Sequence, residues 1–149
     1  MSEPLRVRTT NAELTLEEIA ESLPGTGDLM ALVGGAWWKC WYAAHGGNWP
    51  LAAYFARRVR GLQRDLAVIR PKYRADLETF ERGELAAVLS AIAAEDLAAF
   101  EAAYARATEA ANRYHVKTGK AYVRWVLPDE PPKDLHLGPI TVVEGEQRT

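Results

Sequence analysis

The chain has a single cysteine, Cys40, so it has no internal disulfide. Set inside an apolar run, that residue reads as a small buried hydrophobe rather than a nucleophile. An excess of charge is missing too. The 18 Lys and Arg stand against 20 Asp and Glu, a net charge of -2, which leaves no electrostatic footprint for nucleic acid. Glu3, Arg6, Arg8, Glu13, Glu17 and Glu18 leave no apolar run near the start. Neither a signal peptide nor a membrane anchor is expected, and the reading places the protein in the cytoplasm with no membrane partner. Signatures of catalysis are equally scarce. There is no Glu-x-x-His for a di-iron carboxylate site, no P-loop and no GxGxxG, and no base is paired with Cys40, so an enzyme is not expected.

What remains is an ordinary globular composition, 48% hydrophobic and 26% charged over 149 residues. That length suits one domain burying roughly two-thirds of its unfolded surface. Leu16 to Leu23 reads as a short amphipathic helix ended by Pro24-Gly25. From Asp28 as N-cap, the run to His45 carries Lys39 as its only charge within LMALVGGAWWKCWYAA and is apolar on more than one face. Gly46-Gly47 stops this first long helix. Asn48 caps the second, about Trp49 to Ile69, with Pro50 in its first turn and an apolar stripe of Leu51, Phe55, Val59, Leu62, Leu66 and Ile69. A third helix is expected from about Lys72 to Ala93 and a fourth from Asp96 to about Thr118, before Gly119. The segments GNWPLAAYF and EDLAAFEAAY echo one another as capped helix starts after tight turns.

Short links make neighbouring helices antiparallel, which predicts an all-α, up-down-up-down four-helix bundle packed at roughly 20°. Residues 1–27 form an N-terminal segment with the short helix, 28–119 the bundle, and 120–149 an extended Pro-rich tail. The tail is expected to dock through Tyr122 and Trp125, with mobile last residues. Trp37, Trp38, Trp41 and Tyr42 cover so much of the first long helix that one face is expected to meet a second copy, making a homodimer. Arg57, Arg58, Arg60 and Arg64 read as a solvated face, and Glu84 as a carboxylate on the rim or the inward stripe.

Antiparallel topology puts the end of the fourth helix beside the start of the first, so His115 should lie near Leu29, Met30 and Val33. His45 falls at the other end, about 30 Å away. Histidine nitrogen and methionine sulfur are a known axial pair for haem iron, and two facing helices can present them across a planar ligand. Gly34, Gly35 and Gly83 are unusual in helix interiors, where each costs about 1 kcal/mol relative to alanine, and missing side chains could make room. Each feature also has a structural reading. His115 can serve the helix end, Met30 can fill the core, and the glycines can permit close approach or a bend.

The ending Asn112-Arg-Tyr-His-Val-Lys117 resembles the close of the last helix in the soluble b-type four-helix-bundle cytochromes, Asn-x-Tyr-His-x-Lys, where the histidine ligates haem. The likeness covers the fourth helix back to the turn near Glu95 and the start of the first, where Met30 is placed like the family's methionine ligand. It implies noncovalent haem b held by His115 and Met30, with Asn112, Val33, Gly34 and Trp37 lining the site. Covalent attachment is excluded, because Ala111 and Tyr114 stand where the c-type bundle cytochromes carry cysteines. Those cytochromes are exported, and this chain departs from them in lacking an export signal and in its bulky first-helix aromatics. The segments W-K-x-W-Y-A-A-x-x-G-N-W and N-x-Y-H-x-K-x-G are also similar to ones in a broad group of uncharacterised bacterial proteins, which supports the fold and leaves function open. Two functions follow. One is a non-enzymatic bundle for a small apolar or planar ligand, haem b being the most specific candidate; the alternative is a ligand-free homodimeric interaction bundle. A cavity at Met30 and His115 with Gly34 facing inward favours the first, and a core filled by Trp37 and Trp41 favours the second.

Overall fold

The structure, a computed structural model, describes residues 2–141. It is mostly helical, with one small two-stranded sheet. The expectation for the tail's last residues concerns 142–149, outside the described residues.

The sheet was not expected. β1 (Arg6–Arg8) pairs antiparallel with β2 (Glu13–Thr15), Val7 opposite Leu14, and the Thr9 hydroxyl accepts from the amides of Asn11 and Ala12 to shape the turn. Helix α1 (Leu16–Ser22) follows at once from a reciprocal cap: Thr15 Oγ1 accepts from the Glu18 amide at 3.1 Å, and the Thr15 amide donates to Glu18 Oε2 at 2.8 Å. Neither the hairpin nor α1 contributes a buried side chain.

Helix α2 (Thr26–His45) starts two residues before its expected cap. Asp28 lies inside the first turn and accepts from the Gly25 amide, so its carboxylate serves the helix start from within. α2 and α3 (Trp49–Ile69) are joined by a tight turn in which Gly47 is left-handed, φ +83°, and the Asn48 amide reaches back to the Ala43 carbonyl. The turn before α6 (Leu97–Lys117) repeats this device: Glu95 is left-handed, φ +52°, and the Asp96 amide reaches back to Ala91. Asn48 and Asp96 then cap their helices through side-chain oxygens that accept from Leu51 and Ala99. The sequence echo therefore reflects one turn used twice.

The third long helix is not continuous. A single 3-10 turn, Pro71–Tyr73, leads into α4 (Arg74–Phe80), then a π-helical turn, Glu81–Leu85, then α5 (Ala86–Ala93). The reason is in the apolar spacing. Phe80 and Leu85 are both buried, yet five residues apart they would diverge on an α-helix; one wider turn brings them back to the same face. Gly83 sits in that turn with no atom near its missing Cβ, so it eases the widening and opens no pocket.

α2 lies along α3, α3 against α5, α5 against α6, and α6 against α2. The core between them is built on Val33, Cys40, Val59, Leu85, Val88 and Phe100, all nearly inaccessible. On α3 the buried face is rotated from the expected stripe, with small Ala52 and Ala56 innermost and Leu51, Phe55 and Ile69 only half-buried. The face expected to meet a second copy is largely used within the chain. Trp37 stacks on Tyr104 with centroids 4.3 Å apart, Trp41 packs on Phe100 and Tyr104, and the Tyr42 hydroxyl donates to the Pro128 carbonyl.

Beyond Gly119 the chain returns along α2 as a strap. Trp125 anchors it as expected, but Tyr122 does not, being 84% exposed. The second anchor is Asn48, which is fully buried and donates from Nδ2 to the His136 carbonyl at 2.9 Å while capping α3. Gly46 lies under the Leu137 carbonyl, which a Cβ there would overlap. Gly46→Ala is expected to cost about 1–3 kcal/mol in urea denaturation by lifting the strap. Gly35→Ala, with nothing within 4 Å of its missing Cβ, should gain roughly 0.5–1 kcal/mol from helix propensity.

Candidate functional site

The end of α6 is fixed before any site forms. Gly119 is left-handed at φ +79°, the Lys120 amide returns to the His115 carbonyl, and the chain turns sharply into the strap. Asn112 then grips one residue of the strap by both its backbone N–H and its backbone C=O. Its Nδ2 donates to the Trp125 carbonyl at 3.1 Å, and its Oδ1 accepts from the Trp125 amide at 2.8 Å. The indole of Trp125 is set down on Gly34, 3.4 Å from where a Cβ would stand, and edge-on to His115 with ring centroids 5.4 Å apart.

Under Trp125 is a cavity of about 100 Å³ between the start of α2, the end of α3, α4 and the end of α6. Its walls are mainly apolar: Met30, Leu66, Leu77, Phe80, Ala111 and Tyr114. Its polar rim is already paired, Asp76 with Lys117 at 2.7 Å and the Tyr73 hydroxyl with Lys120 at 3.2 Å. Two further side chains border the space. His115 places Nδ1 2.8 Å from the Val123 carbonyl. A carbonyl only accepts, so Nδ1 carries the proton and, in the neutral ring, Nε2 keeps a free lone pair. Burial holds the His115 pKa below its ordinary value of 6.5, against the opposing effect of the Val123 bond, and the Lys120 charge adds to the lowering. The second group is Gln63, 7% exposed, whose Oε1 is buried without a hydrogen-bond partner. Such an orphan costs on the order of 1–3 kcal/mol.

The candidate residues therefore divide. His115 and Met30 share the cavity wall, as the helix topology predicted. Asn112 acts through the roof, not by lining the space. Val33 is packed in the core at 1% exposure and lines nothing. Gly34 lies against the Trp125 indole, which takes up the room that its missing side chain leaves. Trp37 is 4% exposed and fills the core, its Nε1 donating to Thr108 Oγ1 at 2.9 Å; its edge and Gly34 border a second recess, about 380 Å³, on the far side of Trp125. Sequence reasoning missed Gln63 and the role of Trp125. Gln63 carried a readable signal, a polar residue between Val59 and Leu66 on the buried face of α3.

A haem does not fit the cavity as it stands. About 100 Å³ is below the roughly 150 Å³ that admits a single benzene and far below the roughly 300 Å³ at which larger ligand sites begin. Among the described residues no three His, Cys, Asp or Glu side chains gather into a metal-binding group. Cys40 is unsuited to nucleophilic work, since burial pushes its thiol pKa up to about 12 and its Sγ points to the Ala52 carbonyl. Arg64 pairs with Glu81, and Glu84 stands half-buried on the rim. No helix among the described residues is long and apolar enough to cross a membrane.

Comparison with known proteins adds no family: no family model, curated protein or solved structure matches the chain.

The histidine makes stability depend on pH. Its folded pKa lies below the unfolded value, so the unfolded chain takes up the proton first, and the contribution is complete above pH 6.5 and lost as pH falls through the folded pKa. Denaturation followed from pH 7.5 down to about 5 should show that loss, and His115→Gln should remove this part of the profile.

Proposed function

We propose that the chain is a non-enzymatic ligand-binding protein built on an antiparallel up-down-up-down four-helix bundle, its rods being α2, α3, the broken rod from Arg74 to Ala93, and α6. The ring of pairwise helix contacts and the short turns support that architecture. The ligand occupies the cavity under Trp125. One observation carries this reading: an apolar cavity at a helix-end junction, roofed by an indole that Asn112 holds in place, with the free Nε2 of His115 in its wall. A bundle core closed simply for stability would gain from filling such a space. In the ligand-free homodimer, the part of the aromatic face left for a second copy centres on Trp38, which is half-buried and packs on Tyr42 of its own helix.

The b-type haem implied by the resemblance would need Trp125 displaced. That indole separates the His115 cavity from the second recess, and both border on Met30. With the indole aside, the two spaces would join along Met30.

Xenon, small enough for a space of about 100 Å³, is the probe for the cavity itself. At tenfold excess over its Kd it should stabilise the fold by about 1.4 kcal/mol, a rise in Tm of roughly 3–6 °C. Ala111→Leu, which fills the cavity from α6, should abolish the rise. A hemin titration followed in the Soret region should give no saturable low-spin complex with the unaltered chain. A one-to-one complex dependent on both His115 and Met30 would instead make haem the ligand and Trp125 a movable wall. Absence of any binding, by xenon or hemin, would sink the ligand-binding reading.

A further inference from the structure

The strap crosses α2 between two fastenings. Asn112 holds Trp125 at one, and the Pro128 carbonyl accepts from the Tyr42 hydroxyl at the other, so Val126 and Leu127 bridge the interval. That bridge, α2 and α6 enclose the second recess, about 380 Å³, on the far side of Trp125 from His115. We infer that this recess is a binding site for a small aromatic carboxylate, with the flat ring among the tryptophans and the carboxylate on Arg124. It is a site apart from the cavity under Trp125.

The recess has the size of a small-molecule site, a class that begins at roughly 300 Å³. Its walls suit a ring, since Trp37, Trp38, Tyr104 and Trp125 all border it. Gly35 gives an independent sign. A glycine inside a helix weakens that helix, so each one calls for a reason. Gly34 has the Trp125 indole lying on it, whereas Gly35 has nothing within 4 Å of its missing Cβ. The room it leaves belongs to the recess, and packing within the chain does not account for it.

Charge selects the rest. Arg124 is the one charged side chain bordering the recess among the described residues, and it takes part in none of their ion pairs. The acids closest along the chain, Glu109 beside Thr108 and Asp129 beside Pro128, are exposed and do not border the space. Thr108 does, and it spends a lone pair on the Trp37 indole while keeping its own O–H to donate. Lys39, its Nζ 5.8 Å from the Trp38 ring centroid, adds positive charge on the Trp38 side. A cationic ligand would therefore meet like charge with no acid to offset it. A carboxylate matches the planar guanidinium through two parallel bonds, and one such group suits one arginine.

Calorimetric titration of the full chain with 2-naphthoate and with its neutral counterpart, 2-naphthamide, tests this. The acid should bind one to one and about tenfold more tightly than the amide, the strength of a charge-assisted pair reduced by the openness of the recess to water. Arg124→Gln, on an exposed stretch of the strap, should leave the Tm unchanged and bring the acid down to the level of the amide. Gly35→Leu, which gains helix propensity and fills the recess, should keep the fold and lose both ligands. Ala111→Leu, directed into the other cavity, should leave both affinities as they were. An amide that binds as tightly as the acid, or a preference for the acid that survives Arg124→Gln, would overturn the carboxylate on Arg124. Octanoate binding as tightly as naphthoate would overturn the aromatic class. Binding that survives Gly35→Leu or is lost in Ala111→Leu would take the ligand out of this recess, and binding of neither probe would end the inference whatever xenon does in the cavity under Trp125.

Discussion

The grip of Asn112 on the backbone of Trp125 is the contact on which the α6 end of the molecule depends. A primary amide offers a donor and an acceptor side by side, which match the C=O and N–H of a single residue, so two bonds from one side chain set both position and direction of the strap. With that residue placed, the indole covers Gly34 and His115, and the Val123 carbonyl two residues earlier meets His115 Nδ1. The tautomer of the histidine, the roof of the cavity and the wall between the two recesses all follow from it.

The strap also resolves a difficulty in α2. That helix is apolar around more of its circumference than α3 and α6 can cover, and its outer face would otherwise lie open to water. Tyr42 bonds to the Pro128 carbonyl, Gly46 lies against Leu137, and Asn48 caps α3 while holding the His136 carbonyl. The segment has no helix or strand of its own, so its carbonyls are free to accept from side chains on the helices. Inside, the Tyr104 hydroxyl donates to the Trp37 carbonyl and the Trp37 indole to Thr108, so the largest core pair is hydrogen-bonded as well as stacked. Gln63 stands out against this economy. In a core where buried polar groups find partners, Gln63 Oε1 is the buried side-chain oxygen among the described residues that has none, on a residue that borders the cavity under Trp125.

Much of the fold could be read directly, and the failures have specific causes. Asn48 with Pro50, and Asp96, located two helix starts because capping is decided by a few adjacent residues. The five-residue step from Phe80 to Leu85 already announced that the third helix could not be a regular α-helix, yet period matching treats such a step as noise. The first hairpin has too few residues and too little apolar alternation to register, and its turn is held by the backbone and hydroxyl of Thr9. For the site, helix topology brought His115 and Met30 to one place. It could not say that Gly34 answers to Trp125, because the course of a strap without helical period depends on distant partners.

The sequence by itself determined that the chain is mainly helical and where several helices start and stop, since propensity, capping and apolar period act over a few neighbouring positions. It also placed a histidine and a methionine at the same end of the molecule. Only the tertiary structure decided what those residues face. The seat of Trp125, the proton on His115 Nδ1 and the unpaired oxygen of Gln63 each depend on groups far apart in the chain, and the volume of the cavity is whatever packing leaves when all of them are satisfied.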